Sequence, residues 1–278
     1  MGAQWLTAAY GLLACLGAGT LAMVGISEIT GAAPKARRAA SVAAALLCLA
    51  GLVAFACALG HPQSMMAVAT NAAKGSPKSL EFVLCCLVLV VAVAYVVVDM
   101  RVESAAARRA VGVAGVACAV VACVAAGCST AVGRPGLAVP LAVAWLGNAV
   151  AAGAALFGAV AALVDRMGKK ASEKGLAEVA LPARVALLGL VVQTVGFVAV
   201  GVVVGFASVD PLLYWGGALA VGTLASAGCA AVSARVPEVL FAALACSAVG
   251  GACLRAVVLL AGTGSLNLIA NAASRTAL

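Results

Sequence analysis

The 278-residue chain is 65% hydrophobic and 9% charged, with a mean hydropathy of +1.20, whereas charged residues make up about a quarter of a soluble domain. The apolar excess runs along the whole length, so the composition excludes a soluble enzyme and predicts a membrane protein with many spans. The net charge of +8 would suggest a nucleic-acid partner in a soluble protein. In a membrane chain, basic residues mark topology first, and we expect no nucleic-acid partner.

In chain order, the apolar runs are separated by polar interruptions that hold or adjoin the eight prolines, where a missing N–H does least harm. Each run is about 19 to 27 residues long and can cross about 30 Å of hydrocarbon. The first run lacks a basic n-region and a convincing cleavage site, so we expect a retained helix rather than a signal peptide. We predict an all-α bundle of eight transmembrane helices, forming one integral membrane domain over residues 1–278, at residues 5–30, 39–60, 80–98, 110–130, 138–164, 183–207, 213–234 and 239–262.

Lysine and arginine are distributed unequally between the two sides of this arrangement. One side carries Lys35, Arg37, Arg38, Arg101, Arg108, Arg109, Arg166, Lys169, Lys170, Lys174, Arg184 and Arg235. The other side carries Lys74, Lys78, Arg134 and Arg275. The positive-inside rule therefore predicts a multi-pass protein of the cytoplasmic membrane, the inner membrane of a cell that has two, with both termini on the outer face.

The histidine and cysteine content argues against a redox metal held by this chain. His61 is the single histidine, whereas a b-type haem usually needs two axial histidines and zinc sites need several ligands. The eleven cysteines lie mostly inside apolar runs and form no C-x-x-C pair. They are interpreted as small buried hydrophobes, and neither a metal site nor haem is expected.

Polar groups at membrane depth are candidate functional residues. Arg255 lies in the outer half of the last span, Glu81 begins the third span, and His61 follows the second. A lipophilic slot with hydrogen-bond donors and a titratable group suits a quinone head group. Alternatively, Glu81 is a helix N-terminal charge and His61 a solvated loop residue, and Arg255 is half of a structural ion pair or a side chain that snorkels to the interface. Asn148 and Gln193, near mid-membrane, are expected to form interhelical hydrogen bonds.

Residues between the second and third spans carry a family resemblance. The segment Ala58-Leu59-Gly60-His61-Pro62, then Asn71, then Gly75-Ser76-Pro77 and Glu81, resembles the membrane anchor subunit of dimethyl sulfoxide reductase-type molybdenum oxidoreductases. In that family a His-Leu-Gly-x-Pro segment, an asparagine loop and a Ser-x-Glu helix start surround the quinol site. In the tightest register the family's histidine aligns with Ala58, and a two-residue gap aligns it with His61 instead.

The resemblance implies eight helices with both termini outside and an arginine in the last helix, matched by Arg255. It implies an anchor that oxidises menaquinol to menaquinone in anaerobic respiration, with Glu81 or His61 accepting protons. His61, Glu81, Arg255 and Asn71 would bind the quinol, and Arg255 would either orient Glu81 or donate a hydrogen bond to the quinone oxygen. Electrons would pass to an iron–sulfur partner subunit and then to a molybdopterin catalytic subunit. The chain would thus be a quinol dehydrogenase subunit without activity toward the terminal substrate.

Two other classes of function remain open from the residues. A secondary transporter or permease for a small solute would show inverted repeats, broken helices and midplane polar groups, and here the midplane polarity amounts to Asn148 and Gln193. A purely structural assembly protein is the third possibility.

Overall fold

A computed structural model of the chain describes residues 2–60, 64–131, 134–167, 173–206 and 209–263, and no strand occurs within these ranges. The α-helices there are α1 (Gly2–Thr30), α2 (Arg37–Leu59), α3 (Ser64–Asn71), α4 (Pro77–Arg101), α5 (Ala105–Thr130), α6 (Ala138–Met167), α7 (Glu173–Val204), α8 (Ser226–Val232) and α9 (Val239–Thr263). A π-helix, Leu212–Ala225, runs directly into α8.

Eight helical segments of the described ranges are long and apolar enough to cross a membrane, which confirms the predicted all-α, eight-span fold. They are Trp5–Thr30, Pro34–Leu59, Pro77–Arg101, Ala105–Thr130, Ala138–Arg166, Val179–Val204, Leu212–Val232 and Val239–Leu260. Each predicted span overlaps one of these segments, because continuous hydropathy is a strong signal at this length.

The first and fifth spans, α1 and α6, form the most buried part of the bundle. Their backbones approach closely at glycines: a Cβ built on Gly19 would lie 1.8 Å from the carbonyl oxygen of Ala149, and one on Gly153 would lie 2.2 Å from the Gly19 carbonyl carbon. α2 and α5 pack on α1, and α7 and α9 pack on α6. Small residues at this seam permit the close packing that holds helices together without a hydrophobic driving force.

A buried polar network joins four spans through Asn148 and Gln193. The Asn148 amide donates to the Gln193 Oε1 (3.3 Å) and to the backbone oxygen of Ser247 (2.9 Å). The Gln193 amide donates to the backbone oxygen of Gly222 in the π-helix (3.2 Å). The prediction of interhelical hydrogen bonds is therefore confirmed for both side chains.

Three local features differ from the sequence expectations. Pro182 was expected beside a loop, but it lies inside α7, where its ring packs 3.0 Å from the position of a Cβ on Gly158. The seventh span begins as a π-helix rather than as an α-helix. Gly201 and Gly205 have the four-residue spacing that is typical of a helix-packing motif, but Gly205 has a φ of 89° and lies directly after α7, a conformation that glycine adopts at low cost.

Among the residues whose burial the structure describes, each end of the bundle contains one buried carboxylate, and the ends are called the Glu28 end and the Glu81 end. At the Glu28 end, the Glu28 Oε2 accepts from Arg37 Nη1 (2.6 Å) and from the Tyr95 hydroxyl (2.8 Å). Arg108 Nε lies 3.7 Å from the other carboxylate oxygen. Arg37 also donates to the hydroxyl and the backbone oxygen of Ser27.

Candidate functional site

The candidate site lies at the Glu81 end, where the starts of α1, α4 and α6 meet the ends of α5 and α9. It is defined by Gly11, Lys78, Glu81, Ser129, Trp145 and Arg255. The odd-numbered spans run toward the Glu28 end and the even-numbered spans return. Residues early in one span and late in the next are therefore brought together at a single end of the bundle.

Glu81 is buried in the first turns of α4, with 3% of its surface exposed. Lys78 Nζ, one helical turn earlier, donates to its Oε2 over 2.6 Å, and the Ser129 hydroxyl of α5 donates to the same oxygen. Among the described hydrogen bonds, those to Glu81 all end on Oε2. The second carboxylate oxygen, Oε1, therefore remains the atom with capacity to accept from a ligand.

Arg255 of α9 is equally buried, with 4% of its surface exposed. Its Nη2 donates to the backbone oxygen of Gly11 (3.1 Å), its Nη1 donates to that of Gly251 (3.3 Å), and its guanidinium carbon lies 4.3 Å from the centre of the Trp145 ring. No carboxylate within the described ranges forms an ion pair with it. A buried cation held by carbonyl dipoles and a ring face retains uncompensated charge.

Gly11 separates the two charged side chains. A Cβ at Gly11 would lie 3.5 Å from Arg255 Nε and 4.0 Å from Glu81 Oε1, so a donor nitrogen and an acceptor oxygen both face one point. The missing side chain leaves space there, and a cavity of about 60 Å³ extends along this wall, lined by Thr7, Ala8, Gly11, Lys78, Glu81, Thr130, Trp145, Arg255 and Leu259.

The cavity runs from the interior of the bundle to its surface. Gly11, Glu81, Trp145 and Arg255 on the inner wall are buried, whereas Lys78 and several other lining residues are partly exposed. Its volume exceeds the roughly 10 to 15 Å³ that one water needs. The arrangement can therefore admit an oxygen-bearing group from outside the bundle and place it between a cation and a carboxylate.

Tyr10 lies beside this site and contributes an unusual hydroxyl. Its ring stands 5.2 Å from Lys78 Nζ and 4.8 Å from the Phe55 ring. The tyrosine is fully buried, and within the described chain its hydroxyl has no hydrogen-bond partner. An unsatisfied hydroxyl in a membrane interior costs free energy.

The four residues proposed from sequence have different outcomes. Glu81 and Arg255 lie on one cavity wall. Asn71 ends α3, is half-buried and is not among the residues that line this cavity, although its backbone oxygen accepts from the Ser76 N–H. His61 lies outside the described residues, so its role stays a prediction.

Lys78, Ser129, Gly11 and Trp145 were not among the predicted site residues. Lys78 was counted only as a topology charge, although its spacing of three residues from Glu81 on one helix is typical of an ion pair. Gly11 lies in a glycine-rich stretch with Gly17 and Gly19, a pattern typical of close helix packing rather than of a site. The partnership of Ser129 with Glu81 joins positions 48 residues apart, and no local pattern in the sequence indicates it.

The described residues contain no group of three histidine, cysteine, aspartate or glutamate side chains arranged to hold a metal ion. Comparison with known proteins adds no identification, because no family model, curated protein or solved structure matches this sequence. The fold defines the class: a helical protein with eight candidate membrane spans.

Proposed function

We propose that the chain is a membrane anchor subunit that oxidises menaquinol at the Glu81 end of the bundle. The observation that supports this most is the pairing of Arg255 Nε and Glu81 Oε1 around one point beside Gly11, on the wall of a cavity that reaches the bundle surface. A hydroxyl oxygen near that point would accept from the guanidinium and donate its proton to the carboxylate.

Oxidation of a quinol releases two electrons and two protons and leaves the quinone. Glu81 takes a proton from one hydroxyl, and Arg255 stabilises the negative charge that develops on that oxygen. His61 and Asn71 retain the roles that the family resemblance implies: His61 as an acceptor for the second proton, and Asn71 as a hydrogen-bond partner of the ring. The quinone tail lies among the apolar helices.

Lys78 provides a connection between the buried carboxylate and the surface. Its side chain is 36% exposed, compared with 4% for Glu81, and the two are joined by a 2.6 Å ion pair. Protonation of Glu81 by substrate would weaken this pair and free the ammonium group to move toward water. The proton would then leave at the Glu81 end, which we place on the outer face of the cytoplasmic membrane.

The electrons would pass to an iron–sulfur subunit and from it to a molybdopterin catalytic subunit. Short helix α3 at this end supports such a docking surface, because no residue of it is buried and Met66 is 72% exposed. Exposed methionine side chains adapt readily to a partner. This chain would supply the quinol site, and the metal centres would belong to the partners.

Binding of a quinone to the purified chain tests the proposal directly. In a Trp5→Phe/Trp215→Phe background, Trp145 is the remaining tryptophan and lines the cavity, so its fluorescence reports occupancy. Titration with a short-chain naphthoquinone in lipid nanodiscs should give saturable quenching, weakened about tenfold by Glu81→Gln.

The matched control is Glu238→Gln, which removes a carboxylate paired with Arg166 at the opposite end and should leave the affinity unchanged. Quenching that does not saturate, or that is identical in the Glu81→Gln variant, would contradict the assignment. Copurification of iron and molybdenum with the complex isolated from its native membrane tests the partner proposal separately.

A secondary transporter is the second candidate, and one observation favours it. The seventh span begins as a π-helix, and the Gly222 carbonyl within it accepts from the buried Gln193 amide; irregular helices with midplane polar groups are typical of transporters. Solute exchange by proteoliposomes that contain the chain alone, without bound quinone or metal-containing partners, would favour this function over the first.

A further inference from the structure

We infer that the Glu28 end carries a binding site for the phosphate group of an anionic phospholipid. The site is an open groove of about 570 Å³ lined by Pro34, Lys35, Arg38, Ala39, Val42 and Asp99. It lies between the start of α2 and the last turns of α4, at the end where most of the basic residues of the chain are found. The inference is independent of the proposed quinol site.

The two cations of the groove retain donors for a ligand. Lys35 is exposed, and within the described residues no hydrogen bond or ion pair reaches its ammonium group. Arg38 donates from Nε to Asp99 Oδ2 over 2.7 Å, and no described contact uses its two terminal nitrogens. Asp99 thus fixes the orientation of the guanidinium, whose remaining N–H groups match the oxygens of a phosphate.

The backbone that carries these cations is held firmly. Arg37, between them in the chain, points inward to Glu28 and also donates to the backbone oxygens of Ser27 and Ala32. Ala33 has a φ of 41° directly before Pro34, a conformation rare for a residue with a side chain. The turn that presents Lys35 and Arg38 is therefore preorganised, which lowers the entropy lost when a ligand binds.

The surface below the groove suits acyl chains. Val42, in the groove wall, begins an exposed apolar row on α2 that continues through Leu46, Leu49 and Val53. Their spacing of three and four residues places them on one helix face. A soluble phosphate would use the cations alone, whereas a phospholipid would use the cations and this apolar row together, so the groove matches an anionic lipid better.

Native mass spectrometry of the full chain released from nanodiscs tests the site. With equal amounts of phosphatidylglycerol and phosphatidylcholine, we expect the wild-type protein to retain the anionic lipid preferentially. The Lys35→Gln variant should reduce this preference about fivefold, as expected for one cation near a membrane surface, and Lys35→Gln/Arg38→Gln should abolish it. The single variant keeps the Arg38–Asp99 pair, so its effect does not depend on the half-buried Asp99 carboxylate losing its partner.

The control is Arg109→Gln/Arg235→Gln, which removes two exposed cations outside the groove and should preserve the preference. An unchanged preference in the double groove variant, or an equal loss in the control, would overturn the inference. Displacement of the lipid by millimolar inorganic phosphate at constant ionic strength would also overturn it, because the groove would then recognise the soluble ion rather than the lipid.

Discussion

Two buried carboxylates, Glu28 and Glu81, stand near opposite ends of the same bundle and are surrounded differently. Glu28 accepts from Arg37 and Tyr95 and has Arg108 close to its second oxygen. Among the described residues, Lys78 and Ser129 donate to Glu81, and both bond to the same carboxylate oxygen. Arg255, at the Glu81 end, bonds to backbone carbonyls, and within the described residues it forms no ion pair with the carboxylate.

The two carboxylates differ in whether an oxygen is left to accept a hydrogen bond from a ligand. At the Glu28 end, both oxygens face cations and the group is fully compensated, as a stable buried ion pair requires. At the Glu81 end, a carboxylate oxygen without a described hydrogen bond and a buried guanidinium without a described ion pair lie beside a cavity. Burial alone therefore does not distinguish the two carboxylates, whereas the number of unused hydrogen-bonding positions does.

The largest effect should follow from loss of the structural carboxylate. Glu28→Gln would leave the largely buried guanidinium of Arg37 without its countercharge, so we expect the free energy of unfolding in mixed micelles to fall by about 3 kcal/mol. The matched Glu81→Gln variant should lose about 1 kcal/mol, because Lys78 is partly exposed and can be solvated. Equal losses in the two variants would remove the distinction between the two ends.

Quinol oxidation should show the opposite dependence. In membranes that contain the assembled complex, Glu81→Gln should lower quinol-dependent turnover about 100-fold, because the proton acceptor is lost, while the amount of assembled complex stays normal. Turnover per assembled complex should be unchanged in Glu28→Gln. Normal turnover in Glu81→Gln would eliminate Glu81 as the proton acceptor.

The two tyrosines near these carboxylates provide a matched pair. Tyr95→Phe removes a 2.8 Å hydrogen bond to Glu28 and should cost about 2 kcal/mol of unfolding free energy. Tyr10→Phe removes a hydroxyl without a described partner and should leave stability within about 0.5 kcal/mol of wild type. A larger loss of unfolding free energy in Tyr10→Phe than in Tyr95→Phe would mean that the Tyr10 hydroxyl makes the stronger hydrogen bond, which would contradict the difference between the two ends.

The smallest effect concerns the space between Glu81 and Arg255. Gly11→Ala places a methyl group at ordinary contact distance from both side chains, so stability should change little while naphthoquinone affinity falls about tenfold. Gly228→Ala, where a Cβ meets nothing within 4 Å, is the control for the added methyl group. Unchanged affinity in Gly11→Ala would indicate that ligands bind elsewhere.

Much of the fold was predictable because each helix that crosses a bilayer needs about 20 apolar residues, and such runs are easily recognised in a sequence. The exceptions depend on partners in space. Pro182 is accommodated inside α7 next to Gly158, and the π-helix at Leu212–Ala225 has a carbonyl used by Gln193. Hydropathy contains no information on such neighbours.

The candidate site was partly predictable, because charges at membrane depth are rare and Glu81 and Arg255 therefore stand out in the sequence. The position of each residue along its predicted span placed Glu81 and Arg255 at one end of the bundle. It did not show that Lys78, rather than Arg255, pairs with Glu81. Nor did it show that Gly11 lies between them, since that depends on the rotation of α1 within the bundle.

The polar network around Asn148 has a consequence for the assembly of the protein in the membrane. Asn148 and Gln193 belong to the fifth and sixth spans, but their remaining partners, Gly222 and Ser247, belong to the seventh and eighth. During insertion from the N-terminus, both amides lack these hydrogen-bond partners in the hydrocarbon until the seventh and eighth spans have inserted. Insertion of the seventh and eighth spans is thus the event that completes the hydrogen bonding of both amides.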